Sequence, residues 1–190
     1  MLAALRHLLA ILLLPTMVAI VVPQWVLRSF RAVDSRWPPD GALTIALQSL
    51  GVALIIAGVA LVLRCIALFA RVGRGTLAPW DPTRRLVAVG PYRFVRNPMI
   101  SGVAATLAGQ ALLTGSRLIA VWLVTVVAIN HGYFLLSEEP GLEQRFGDEY
   151  RAYKRTVPRW IPRLRAPGAP GRHLDRSLNG MGLDERDGQD

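Results

Sequence analysis

Between Gly41 and Leu63 the chain runs for 23 residues without a charged side chain. A helix of that length rises about 34 Å at 1.5 Å per residue, enough to cross a hydrocarbon core about 30 Å thick. Three further apolar runs accompany it, Leu8–Leu27, Met99–Leu113 and Leu118–Leu136, the last two parted only by Thr114, Gly115, Ser116 and Arg117. Of the 13 acidic residues only Asp34, Asp40 and Asp81 precede Glu138, and 52% of the chain is hydrophobic against 18% charged. A soluble domain spreads both signs of charge over its surface, so long acid-free apolar runs point to a lipid solvent. The expected architecture is an all-α integral membrane protein with four transmembrane helices over about 8–27, 41–63, 99–113 and 118–136.

The first run has the length of a span, and no small-residue cleavage site follows it before Arg28 and Arg31, which favours an anchor over a cleaved signal peptide. Pro15 and Pro23 are expected to kink it. The third run, at 15 residues, reaches only about 22 Å and must extend into its flanks or leave a recess at the cytoplasmic face. With the N-terminus inside, the inner segments carry Arg6, seven arginines from Arg64 to Arg96 and seven basic residues from Arg145 to Arg165, while the outer loops hold only Arg28, Arg31, Arg36 and Arg117. The positive-inside rule then places both termini and the 71–97 loop in the cytoplasm, and the expected location is a prokaryotic plasma membrane. The net charge of +9 lies at the ends of apolar runs, not in a patch, so lipid rather than nucleic acid is the expected partner. One cysteine and three scattered histidines, His7, His131 and His173, offer neither a disulfide framework nor a metal motif.

The long polar loop from Arg71 to Asn97 is rich in Gly and Pro and is a natural place for function. Within it, Gly73–Ala78 fits a Gly-rich nucleotide pattern only formally, since Pro79 follows where a helix is required. Past the fourth run, Leu142, Phe146, Tyr150 and Tyr153 recur at helical spacing among charged residues. This reads as one amphipathic helix over about 141–155, lying on the membrane or over the loop. From residue 166 to 190 Pro, Gly and charge dominate, the composition of a disordered tail.

Three constellations could carry chemistry. Asn97 before Pro98 is a helix start, with Asn97 as the cap, and the N–H groups of that first turn with Arg93 and Arg96 make an anion site. The plainer reading is a capped membrane helix with interfacial arginines. Glu138 and Glu139 come next, after the fourth run, where they suit either a helix dipole or a ligand. Asn130 and His131 stand two helical turns before them, a spacing that predicts polar groups inside the span on their side. Small residues at Ser101, Ala105 and Gly109 suit close helix packing, and Cys65 reads as a small apolar residue.

The run Leu86-Val87-Ala88-Val89-Gly90-Pro91-Tyr92, then Arg96-Asn97-Pro98, Glu138-Glu139-Pro140-Gly141-Leu142, Phe146-Gly147-Asp148-Glu149-Tyr150 and Val157-Pro158-Arg159 resembles the isoprenylcysteine carboxyl methyltransferase family, related to the membrane phospholipid methyltransferases. The resemblance covers roughly residues 64 to 163. It implies an integral membrane enzyme that uses S-adenosylmethionine on a small lipophilic or membrane-embedded acceptor, with the cofactor held between the loop and the C-terminal helix. Cofactor contacts would fall on Arg84, Arg85, Leu86, Val87, Tyr92, Arg96, Asn97, Pro98, Met99, Ile100 and Glu138. Asn130 and Phe134 would meet the acceptor, and Glu139 or His131 would take a proton from an amine acceptor. Three positions depart from the family pattern: Asn97 stands where His is usual, Ile100 where Tyr is common, and Phe134 where the prenylcysteine enzymes carry an acceptor-binding Arg. Two alternatives stay open, a membrane reductase of similar fold whose arginines hold the 2'-phosphate of NADPH, and a non-enzymatic membrane subunit.

Overall fold

The computed structural model describes residues 15–30, 33–34, 37, 41–68, 86 and 88–162. Among these residues every regular element is helical. Helix α1 spans Met17–Ser29, α2 Ala42–Leu68, α3 Pro98–Thr114 and α4 Arg117–Tyr133. A π turn, Phe134–Glu138, joins α4 directly to α5, Glu139–Thr156, and a short 3₁₀ turn over Gly90–Arg93 precedes α3. Residues 8–14, the Gly73–Ala78 turn, Arg84, Arg85, Val87 and the 166–190 tail lie outside the described residues.

Two helical runs, α2 and the one that opens at Arg117, are long and apolar enough to cross a membrane, while Met17–Ser29 and Pro98–Thr114 are shorter apolar helices. Helix α2 has the pattern of a helix in lipid. It exposes Leu43, Ile45, Leu50, Val52, Ile56, Val59 and Leu63 and buries Thr44, Gly51, Gly58 and Cys65, four small residues spaced by seven. Where the solvent is as apolar as a side chain, association rests on close backbone approach through small residues. The contact with antiparallel α3 is reciprocal. A Cβ on Gly51 would stand 2.7 Å from the Gly109 carbonyl oxygen, and one on Gly109 would stand 2.5 Å from that of Gly51. Gly58 and Gly102 face each other the same way, at 2.5 and 2.8 Å. The α3 stripe therefore runs through Gly102 and Gly109, at a spacing of seven, in place of the expected Ser101 and Ala105. A seven-residue repeat keeps one seam facing its partner over several turns, which a four-residue step does not.

Helix α1 docks through the defect that Pro23 creates. Proline lacks an N–H, so the Ala19 carbonyl has no α-helical donor, and in the π turn Met17–Val21 the Val18 carbonyl meets the same proline. Side chains of other helices fill both gaps. Gln110 Nε2 donates to the Ala19 oxygen at 2.6 Å and Trp122 Nε1 to the Val18 oxygen at 3.0 Å. In a bilayer these carbonyls have no water to turn to.

The hairpin between α3 and α4 is closed by Gly115, whose φ of 71° ends α3 in the left-handed region. Trp37, through its backbone nitrogen and ring, lies where a side chain on Gly115 would be. Ser116 caps α4 through the Ile119 amide at 3.1 Å, and the buried Asp34 carboxylate accepts from the Leu118 amide at 3.4 Å.

The expected single amphipathic helix over 141–155 is replaced by a sharper shape. Glu139 and Lys154 form an ion pair at 3.1 Å, whereas a straight helix would separate them by about 22 Å. The reversal falls at Gly147, with φ 51° and ψ −123°, a conformation of type II′ turns that only glycine adopts without strain. Residues 148–156 thus fold back on 139–146. The apolar spacing of Leu142, Phe146, Tyr150 and Tyr153 belongs to two arms of a small hairpin, not to one stripe.

Candidate functional site

The site is assembled where the ends of α2 and α3, the π turn and the folded α5 meet. Asn97 caps α3, its Oδ1 accepting from the Ile100 amide at 3.4 Å, with Pro98 at the first helical position. Asn97 is only 4% exposed, and Pro98 and Met99 are buried with it, whereas Ile100 and Leu86 are half-buried. Tyr92, from the 3₁₀ turn, packs with Cys65 and Met99 against Leu61, Val62, Ile66 and Leu68. Burial pushes its phenol well up, with Cys65 and Glu138 adding to the shift, so Tyr92 is a neutral aromatic wall within the field of Glu138.

The loop that carries Tyr92 and Arg96 is tied down from the C-terminal side. Tyr153 Oη donates to the Tyr92 carbonyl at 2.7 Å, and the Arg96 amide donates to the Pro158 carbonyl at 2.9 Å. Glu139, 4% exposed, is the hub of the ion pairs. Its Oε1 accepts from Arg96 Nη1 at 2.8 Å and from Arg159 Nε and Nη2 at 2.9 and 2.7 Å, while Oε2 meets Lys154 Nζ at 3.1 Å. Lys154 also reaches Glu143 Oε1 at 2.6 Å. Burial alone would raise the Glu139 carboxyl, but the hydrogen bonds from Arg159 and Lys154 and the Arg96 charge outweigh it and hold the group below the ordinary carboxylate value.

Glu138, one residue earlier and beyond the apolar run that ends at Leu136, has the opposite surroundings. It has no hydrogen-bond or ion-pair partner among the described residues, and burial together with the Glu139 charge pushes its carboxyl up to about 7. Two buried donors at the start of α3 are likewise unmatched among the described residues, Arg96 Nε and Asn97 Nδ2. Buried polar atoms without partners are uncommon and mark strain or a missing ligand.

A π turn, Phe134–Glu138, lies between Asn130 and His131 and the two acids, and each of the two earlier residues has a partner of its own. Asn130 Nδ2 donates back to the Val126 carbonyl at 2.8 Å, and His131 Nδ1 accepts from Trp160 Nε1 at 3.1 Å. Phe134 is buried in the π turn itself. That turn precedes Pro140, which lacks the N–H and would crowd the Leu136 carbonyl in a regular helix. Nothing local marks Tyr153, Lys154, Arg159 and Trp160 as site residues: Tyr153 counts as one position of an apolar stripe, Lys154 and Trp160 look like solvated helix and tail residues, and Arg159 stands out only through the Val157-Pro158-Arg159 motif.

What these elements define is a helical membrane protein with a polar, Arg-rich site at one end of its bundle. The family model of the phospholipid methyltransferases matches residues 47–149, more than half of the chain, and the chain belongs to that family. It is a membrane methyltransferase by that membership. An uncharacterized protein of Haemophilus influenzae is 34% identical over 55 residues, which make up 29% of this chain and 87% of that protein. No solved structure matches the chain.

Proposed function

We propose that the chain transfers a methyl group from S-adenosylmethionine to a small lipophilic or membrane-embedded acceptor. The site would lie at the cytoplasmic end of four membrane-spanning helices, with both termini on the same side. The observations that carry this reading are Glu138, a carboxylate with no partner among the described residues whose field reaches Tyr92, and the buried Arg96 Nε and Asn97 Nδ2 at the start of α3, likewise without partners among the described residues. A ligand with both a carboxylate and an ammonium satisfies both halves of that arrangement.

Arg96, Asn97 and the Met99 amide suit the carboxylate of the cofactor's amino-acid part, on a first turn that Pro98 starts and the Ile100 amide ties to the Asn97 cap. Glu138 suits the ammonium or the ribose hydroxyls, and Tyr92 with Leu86 and Met99 gives apolar cover for adenine. Arg84, Arg85 and Val87 complete the set by resemblance alone. When bound, the cofactor supplies an electrophilic methyl group on a sulfonium. The chain's part is to bind, align and exclude water, since in-line displacement depends on proximity more than on acid or base. Glu139 is a poor proton acceptor in this reading because three cations hold it ionised. His131 accepts at Nδ1, so its neutral ring keeps the proton on Nε2 and is suited to donate to an acceptor oxygen. Both points favour acceptors that need no strong base.

Titration calorimetry of the detergent-purified protein tests the reading. Wild type should bind S-adenosylmethionine saturably, and Glu138→Gln should weaken binding by about 1.5–3 kcal/mol, the range for a charge-assisted hydrogen bond. Wild type that ignores S-adenosylmethionine and binds NADPH would be a reductase instead, and binding of neither would leave a non-enzymatic subunit. Equal affinity in the variant would remove Glu138 from the site.

A further inference from the structure

We infer that Glu139 and Arg159 are positioning residues, a buried clasp that holds the cofactor-binding loop in place through Arg96 without touching cofactor or acceptor. Residues 157–160 form a strap running back from α5 across the site. Val157 is buried, the Pro158 carbonyl takes the Arg96 amide at 2.9 Å, Arg159 grips Glu139 with two N–H groups, and Trp160 reaches His131. Arg96 is therefore held twice, by backbone to Pro158 and by side chain to Glu139, and both holds converge on the strap. Among the described residues, every bond that Glu139 accepts comes from a cation of the chain itself, which leaves this carboxylate saturated while its neighbour Glu138 stays open. The pair divides its labour: Glu138 faces the ligand and Glu139 fixes the frame. Because Arg159 lies 20 residues beyond Glu139, the fold at Gly147 is what brings the clasp together.

The inference rests on the cofactor reading above, and the experiment separates the two. Glu139→Gln, Arg159→Gln and the double variant are titrated with S-adenosylmethionine. If Glu139 acts through the strap, each single change weakens binding about tenfold and the double variant loses little more, the non-additivity expected of residues in one network. Additive losses mean that Glu139 meets the cofactor directly and overturn the clasp. Hydrogen exchange on the cofactor-free protein gives the second arm. Both variants should speed exchange in peptides covering 92–97 and 157–160, and unchanged exchange there overturns the clasp whatever the cofactor does. Arg159→Gln leaves Glu139 paired with Arg96 and Lys154, so it reads the clasp even if Glu139→Gln folds poorly. Should wild type bind no S-adenosylmethionine, the cofactor reading falls and the exchange arm alone decides the clasp.

Discussion

Two adjacent carboxylates, Glu138 and Glu139, titrate in opposite directions because one is surrounded by cations and the other is desolvated beside its neighbour's charge. The consequence for Glu138 has a definite sign. Its folded value of about 7 lies above the ordinary 4.5, so its contribution to stability is full below that ordinary value and is lost as pH rises through 7. Glu138→Gln, which cannot ionise, should gain on wild type by about 2 kcal/mol between pH 5 and 8, the shift being discounted for partial exposure. Thermal unfolding in detergent across that range measures it, and parallel curves for the two proteins would contradict the placement. Phe134 sets a second expectation. A carboxylate acceptor brought beside that buried ring loses water without gaining a partner, so farnesylcysteine should be a poor substrate and an apolar thiol, amine or hydroxyl a better one. Robust, saturable methylation of a farnesylcysteine analogue by wild type refutes this. The cap at Asn97, the proline after it and the Glu pair were visible in the sequence because each is a local feature, whereas Tyr92, Met99 and Ile100 came from the family resemblance alone. Arg159 and Lys154 were not visible, since their partners lie 20 and 15 residues away across a reversal.

At the level of elements, glycine appears where two backbones meet and where the chain turns back. Gly58→Ala should cost about 1–3 kcal/mol by forcing α2 and α3 apart, because its Cβ would meet the Gly102 carbonyl and Thr106. Gly132, with nothing within 4 Å of a built Cβ, is the control. Its change to Ala should be neutral or raise stability by up to about 1 kcal/mol through helix propensity. Gly147→Ala is open in space but not in backbone, and should cost about 1–3 kcal/mol while loosening Lys154 from Glu139. The Pro23 defect gives a different test. Gln110→Leu strands the Ala19 carbonyl, with an expected loss of about 1–3 kcal/mol. A Gln110→Leu melting curve identical to wild type would show that carbonyl to be satisfied in some other way.

For the molecule as a whole, α2 buries Gly51 and Gly58 and exposes leucine, isoleucine and valine, a distribution unstable in water and natural in lipid. With both ends of the site on one face, residues introduced as cysteine at 88–97 and beyond 160 should label from the same side of oriented membranes in a Cys65→Ser background, the cytoplasmic side by the arginine count. Labelling of the two regions from opposite sides would break the four-span arrangement and the site built on it.

The sequence by itself determined the helical class of the described residues, the bounds of the second and third apolar runs to within a few residues and the hairpin between the third and fourth, because run length, charge and a glycine stop act within a few residues. It also fixed the start of α3 at Asn97 and Pro98. Only the tertiary structure decided which small residues pack, how the carbonyls freed by Pro23 are met, and which acid of the Glu pair is open. Those outcomes depend on partners from other helices, and on the reversal at Gly147, where a single φ of 51° turns an apparent amphipathic stripe into two arms and brings Lys154 and Arg159 onto Glu139. Helical periodicity assumes a continuous backbone, so it cannot register such a break.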